Sequence, residues 1–330
     1  MVGKGKDMKN MIVGIGSALV DILAHETDAF LHKSGAVKGS MTLVDDAVIE
    51  SILSELKTSP SIVPGGSACN TMIGIAKLGG ASRFVGKRGT GSMGAFFETG
   101  LVENGVEPHL LHSPSSNGRV LSIITPDAQR SMLTYLGASS EIQPEDIADA
   151  CFDGAAVVHI EGYLLFNPTL MLQSLSLAKK SGARISLDLS SFTVVESNKT
   201  LLDQIVNEFV DILIANEDEA RAFTGQTDEL LMIESLSSRS EIAVLKVGSR
   251  GSYISHQGKT HRVEPVGDGC AVDTTGAGDL WASGFLFGLV NGYSLEKCGK
   301  LASACGHEVC QVVGAGIPHA GWERIRKYLD

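Results

Sequence analysis

From residue 151 onward the chain alternates short apolar runs with longer segments of helical pattern, and that alternation limits the fold more than any other feature. Residues 155–160 stop at Glu161-Gly162-Tyr163, and residues 185–187 stop at Asp188. Residues 212–215 stop at Asn216-Glu217-Asp218-Glu219, and residues 243–247 stop at Gly248-Ser249-Arg250-Gly251. Short apolar runs bounded by polar or Gly-rich turns read as strands buried on both faces. Strands that alternate with helices make a parallel sheet covered by helices on both sides. The expected fold is therefore α/β, a three-layer α/β/α sandwich around a central, mostly parallel sheet. The carboxyl ends of its strands share one edge, and ligands gather in the crevice outside that edge.

One stretch supplies chemistry for such a crevice. Asp273-Thr274-Thr275-Gly276-Ala277-Gly278-Asp279 runs directly into an apolar, helix-like segment over residues 280–290. Three small residues let the backbone approach a ligand closely, and the helix behind them presents unpaired N–H groups and its positive dipole end. That combination is an anion site. Asp279, in the first turn of the helix, stands beside the bound anion, where a carboxylate can take a proton from an attacking hydroxyl. The pattern points to phosphoryl transfer.

Other segments can surround it. Residues 11–16 form an apolar run that leads into Ser17-Ala18-Leu19-Val20-Asp21, so Asp21 reads as the carboxylate ending a first strand and a candidate to hold a substrate hydroxyl. A solvated turn is the alternative. Pro64-Gly65-Gly66-Ser67-Ala68-Cys69-Asn70 opens a helix over residues 71–78, and Gly65, Gly66 and Asn70 would face the same mouth. Close packing of that helix on the sheet is the competing explanation. Asn216 and Glu219 lie three apart at a helix start, hence on one face, and suit a Mg²⁺ that keeps most of its waters. An acidic helix cap would use the same residues. Lys246 precedes the Gly248 to Gly251 turn, where backbone could approach a nucleotide. His307, on a small-residue helix over residues 301–313, reads as a packed or ribose-side contact rather than a catalyst.

Two dinucleotide fingerprints fail. Gly14-x-Gly16 has Leu19 where a third glycine belongs, and the cluster from Gly89 to Gly94 has no acidic residue at the expected spacing of ~20. A nicotinamide-dependent oxidoreductase thus has no support. Residues 36–44 read as a strand and residues 119–124 and 130–135 as a hairpin split at 125–128. With a strand near residues 20–25 they could make a second, half-exposed sheet.

A net charge of -11 and a pI near 5.3 argue against nucleic acid or anionic membrane as partners. The longest uncharged stretch, residues 280–295, contains three glycines and is shorter than the ~20 residues of a membrane span. Six cysteines without a C-x-x-C pair read as reduced thiols, and the expected location is cytoplasmic.

The seven-residue string from Asp273 to Asp279, with these motifs in order from residue 11 to the C-terminus, resembles the ribokinase-like (PfkB) carbohydrate and nucleoside kinases. The run from Arg130 to Ser139 resembles that family's junction between lid and core. Residues 85–94 resemble its V-G-x-x-G-x-D-x-x-G segment but lack the Asp. The resemblance implies one domain over residues 1–330, with a β lid formed by segments about 17–45 and 108–137. It implies ATP and Mg²⁺ as cofactors and transfer to a hydroxyl, typically a hydroxymethyl, of a sugar or nucleoside. Asp279 would be the general base, and the amides of Gly276, Ala277 and Gly278 would hold the transferring group. Asp21, Gly65, Gly66 and Asn70 would grip the acceptor, and Lys246, Gly248, Gly251, Thr275 and His307 would serve ATP. Asn216 and Glu219 would handle Mg²⁺ largely through water, and Asp273 would neighbour a monovalent cation such as K⁺. Residues 39–45 and Glu161-Gly162-Tyr163 resemble the adenosine-kinase-like or general sugar-kinase branch. A catalytically silent binding protein is the other functional class such a chain could hold. Both a monomer and a dimer through the lid are compatible with an exposed sheet.

Overall fold

Burial of period two builds the large sheet. The computed structural model describes residues 10–127, 129–267 and 269–329. In strand β1 (Met11–Ile15), Val13 and Ile15 point into one apolar layer and Ile12 into the other. The chain then leaves this sheet for β2 (Leu19–His25), helix α1 (Asp28–Ser34), β3 (Met41–Leu43), α2 (Asp46–Ser54) and β4 (Ser61–Gly65). Helix α3 (Ser67–Lys77) brings it back to β5 (Ser82–Gly89), α4 (Ser92–Glu103) and β6 (Glu107–Ser113). A second excursion makes β7 (Gly118–Ile124) and β8 (Arg130–Tyr135). The alternation expected after residue 151 follows as β9 (Ala155–Glu161), α5 (Pro168–Lys180), β10 (Arg184–Asp188), α6 (Phe192–Phe209), β11 (Ile212–Asn216), α7 (Glu217–Thr224), α8 (Glu229–Ser237) and β12 (Ile242–Lys246). A hairpin of β13 (Ser252–His256) and β14 (Lys259–Val263) precedes α9 (Ala277–Val290), α10 (Leu295–Val309) and α11 (His319–Arg326).

The large sheet has nine strands in the order β14-β13-β12-β11-β10-β9-β1-β5-β6. All neighbours from β12 to β6 are parallel, and the β12–β13–β14 edge is antiparallel. Side chains from α5, α6, α7 and α8 cover one face, and those from α3, α4, α9 and α10 cover the other. With both faces covered, alternate residues such as Ile214 and Leu213 of β11 enter opposite cores, each burial being worth roughly 1.5–3 kcal/mol. Among the described residues no helix is long and apolar enough to cross a membrane.

The small sheet has the order β3-β8-β7-β2-β4. It differs from the expected lid in three respects. Residues 107–113 are the outer strand of the large sheet, so the segment starting at 108 enters the small sheet only at Gly118. Residues 61–65 add an unexpected strand that pairs antiparallel with β2. Pro64 is tolerated there because β4 is an edge strand, where a missing N–H breaks no ladder on the open side. Third, only Met41–Leu43 of the expected strand over 36–44 is extended; a turn around Gly39 precedes it. The hairpin loop includes Ala128, which lies outside the described residues. Helix α10 ends at Val309 and begins at Leu295, earlier than the 301–313 expected, with Ser294 capping its start.

Candidate active site

Two helix starts meet at the carboxyl edge of the large sheet. Gly276, at φ 71, caps the start of α9, and Gly66, at φ 99, caps the start of α3. The helices lie close because a side chain on Gly74 of α3 would come within 2.4 Å of Ser283 Oγ on α9. This approach puts two donors of α3 on one carboxylate of α9. Ser67 Oγ donates to Asp279 Oδ1 at 2.8 Å, and Asn70 Nδ2 donates to Asp279 Oδ2 at 3.0 Å. Asn70, expected to contact substrate, gives an N–H to Asp279 and lines the cavity as well. Ser67 was not anticipated; its contact spans 212 residues of sequence. Its only signal is a hydroxyl at a Gly-preceded helix start.

The Asp279 pair of helices walls a cavity of about 440 Å³ that the small sheet closes from the other side. Asp21, Gly66, Asn70, Asn216, Glu219, Lys246, Thr275 and residues 276–279 all line it. Of the three amides expected to hold a phosphoryl group, that of Ala277 donates to Thr274 O at 3.2 Å and closes the turn. The amides of Gly276 and Gly278 have no hydrogen-bond partner among the described residues. Lys246 Nζ lies where a side chain on Gly278 would come within 3.0 Å of it, so its ammonium rests on the same helix start.

Asp21 does not end a strand of the large sheet. The chain changes sheets after the apolar run of residues 11–16, and Asp21 sits within β2, buried, on the cavity wall. A side chain on Gly65 would lie 2.3 Å from its carboxyl carbon, so that glycine is what gives Asp21 room. Asn216 and Glu219 form a reciprocal capping box: Glu219 N donates to Asn216 Oδ1 at 2.9 Å, and Asn216 N donates to Glu219 Oε2 at 2.8 Å. The cap and the cavity position coexist. Among the described residues no group of three or more His, Cys, Asp or Glu side chains is arranged to hold an ion directly.

Asp273 uses both oxygens within its loop. One accepts from Thr275 N at 3.0 Å and Thr275 Oγ1 at 2.7 Å, the other from Gly314 N at 2.8 Å. These bonds outweigh burial and hold its carboxyl below the usual range. Gly248, Gly251 and His307 lie outside the cavity lining. A side chain on Gly251 would meet Val263 O at 2.1 Å, and the His307 ring packs on Gly267.

The electrostatics follow from burial. Asp21 is pushed up to about 6 by desolvation, partly opposed by Arg130. Burial also raises Asp279, against the hydrogen bonds from Asn70 and Ser67. Burial and the neighbouring Asp188 raise Glu219. Burial alone would lower Lys246, but Asp188, bonded to it at 2.8 Å, and Glu219 outweigh that and keep it charged. Of the two lid arginines, Arg119 is buried and bound by Asp46 and Glu50, tying β7 to α2. Arg130 reaches the cavity, with Met132 Sδ at 2.9 Å as its polar contact. Gly16, part of a rejected dinucleotide fingerprint, has a packing reason: a side chain there would lie 2.4 Å from Glu161 Oε2.

Residues 37–320 match the family model described as pfkB family carbohydrate kinase. The chain is 30% identical to the ribokinase of Arabidopsis thaliana, over 76% of this chain and 68% of the relative. It is 29% identical to the adenosine kinase of Saccharomyces cerevisiae, covering 93% and 96%. The solved adenosine kinase of Sinorhizobium meliloti superposes with a TM-score of 0.88 at 32% identity, covering 98% of this chain and all of that one (100%). Nothing in these relatives supports a catalytically silent binding protein. The match over most of the chain, on a fold of one large, mostly parallel sheet plus a small one, places this protein in the pfkB family as an ATP-using sugar or nucleoside kinase.

Proposed function

We propose that the chain transfers the γ-phosphoryl group of ATP to a hydroxymethyl oxygen of a nucleoside, with Asp279 as general base. The observation that carries the chemistry is the Asp279 carboxylate, fixed by Ser67 and Asn70 beside the free amides of Gly276 and Gly278 and the Lys246 ammonium. An acceptor hydroxyl placed between them gives its proton to Asp279 while its oxygen attacks the γ-phosphorus. The bond from that phosphorus to the bridging oxygen breaks, and ADP leaves. The two amides and Lys246 hold the charge spread over the transferring group. Asp21 takes a second acceptor hydroxyl. Thr275 stands on the ATP side, and Gly248, Gly251 and His307 belong to the outer part of the nucleotide path.

Asp188, Asn216 and Glu219 line the cavity with oxygens already bonded within the protein, a set that fits Mg²⁺ held largely through waters. When bound, the ion neutralises phosphate charge. Asp273, bonded to Thr275 and Gly314, acts in this reading as the former of the loop.

The acceptor class rests on the other end of the cavity. Met41, Leu43 and Met132 of the small sheet face Tyr163 and Phe166, whose rings stack at 6.4 Å and 22°. Phe166 is 57% exposed and Leu43 54%, an apolar cost that a free sugar would not repay and a flat heterocycle would. The similarity to the Sinorhizobium meliloti adenosine kinase favours the same class. Initial rates with adenosine, inosine, guanosine, ribose and fructose test it: nucleosides should exceed sugars in kcat/KM by at least about a hundredfold. A preference for a free sugar overturns the assignment. Asp279→Asn keeps the shape, with its oxygen accepting from Asn70 and its NH₂ donating to the Ser67 hydroxyl, so ATP affinity holds while kcat falls by about 10²–10⁴. A kcat within about tenfold of wild type refutes the base.

A further inference from the structure

Glu161, at the end of β9, is 1% exposed and takes no part in the chemistry above. Its Oε1 accepts from Ser17 N at 2.9 Å, and its Oε2 accepts from Ala68 N at 3.0 Å. Those amides occupy special places. Ser17 lies in the crossover that carries the chain from β1 in the large sheet to β2 in the small one. Ala68 lies in the first turn of α3, just after the crossover by which β4 returns. The crossovers also touch, since a side chain on Gly66 would lie 2.4 Å from Ser17 O. Beyond one crossover stands Asp21, and beyond the other stand Ser67 and Asn70, the donors to Asp279.

We propose that Glu161 is a positioning residue for phosphoryl transfer: one carboxylate clasps both crossovers and sets the spacing between Asp21 on the small sheet and Asp279 on the large one. This rests on the reading of Asp279 as base and Asp21 as acceptor contact. Two carboxyl oxygens offer one acceptor to each amide; an amide side chain satisfies one and turns its NH₂ on the other. A one-carbon-shorter carboxyl keeps both oxygens but cannot span both amides. Loss of the clasp lets the acceptor wall drift from the base and admits water to the γ-phosphoryl group, which then hydrolyses to phosphate and ADP in competition with transfer.

Glu161→Gln, Glu161→Asp and Gly16→Ala, whose new methyl displaces the carboxylate while leaving it in the chain, test this together. Hydrogen exchange at the Ser17 and Ala68 amides, read without acceptor, should quicken by at least about tenfold at one or both sites in folded protein. Steady-state assays with ATP and adenosine should show a raised adenosine KM, a lowered kcat and several-fold more ATP hydrolysed per adenosine phosphorylated. Unchanged exchange in all three variants overturns the clasp. Faster exchange with unchanged KM, kcat and coupling ratio reduces Glu161 to packing and overturns its positioning role. If one variant does not fold, the remaining ones carry the same readouts. A wild-type enzyme that ignores adenosine counts against the nucleoside reading alone; the exchange measurement stands, and ribose or fructose replaces adenosine in the kinetics.

Discussion

Gly65→Ala perturbs the acceptor wall through a single contact. An alanine methyl at residue 65 would lie 2.3 Å from Asp21 Cγ and 2.5 Å from each of its oxygens, where carbon contacts settle near ~3.5–4.0 Å. The backbone at Gly65 has no positive φ, so the collision with Asp21 is the substitution's cost, not strain of the chain itself. The Asp21 carboxylate must rotate off its seat, and its hydrogen bond to the acceptor is lost. A hydrogen bond to a charged group is worth about 1.5–3 kcal/mol, which at ~1.36 kcal/mol per decade is about 10- to 150-fold in acceptor kcat/KM. ATP parameters should hold, because Lys246 and residues 276–278 stand on the opposite side of the cavity. The assay is ADP release with adenosine varied at saturating ATP, then the reverse, for wild type, Gly65→Ala, Asp21→Ala and the double variant. In the double variant the methyl has nothing to displace, so it should match Asp21→Ala within about 0.5 kcal/mol. An additive double variant, or a Gly65→Ala enzyme within about threefold of wild type for the acceptor, would refute the reasoning.

Two further outcomes follow from buried charge. Lys246→Met strands Asp188 in the interior and should cost about 3–5 kcal/mol in denaturant unfolding, whereas Asp188→Asn with Lys246→Met should recover stability without recovering kcat; recovered turnover would make Lys246 a mere counter-ion. Asp21 has a folded pKa raised from 3.8 to about 6, so the native state holds its proton longer than the unfolded chain, and its contribution to stability falls as pH rises through that window. Asp21→Asn should flatten the decline between pH 4 and 6 by up to about 3 kcal/mol, read from unfolding midpoints across that range; parallel curves for both proteins would show that Asp21 is not buried as described.

Most of the large sheet was legible because its strands are apolar on both faces and end on polar turns, which is all that residues 155–247 need to declare themselves. The glycine-rich start of α9 was legible for the same local reason: Gly276, Ala277, Gly278 and Asp279 are contiguous. The root of the small sheet was not. Residues 11–24 are mostly apolar on both sides of Gly16-Ser17, and no local pattern marks the jump between sheets there, where Glu161 from far along the chain bonds the Ser17 amide. Residues 61–65 carry Pro and Gly, both unfavourable in strands, and become one only by pairing with β2 at an edge. Ser67 and Asn70 acquire their partner Asp279 from helix packing that no local pattern encodes. Asn216 and Glu219 illustrate a motif with two readings, where the capping box is visible in the spacing and the cavity position is not.

The order of strands in the large sheet bears on how the molecule is made. β9 through β14 add outward from β1 in the order in which a ribosome would release them, so each new strand meets a neighbour already present. Helix α9 comes after all of them. A nascent chain can therefore hold a complete sheet, Asp21 and the α3 donors while Asp279 and the glycine-rich start of α9 do not yet exist. On the proposed mechanism, enzymatic competence would arrive in one late step of synthesis, and a chain interrupted before residue 277 would not consume ATP.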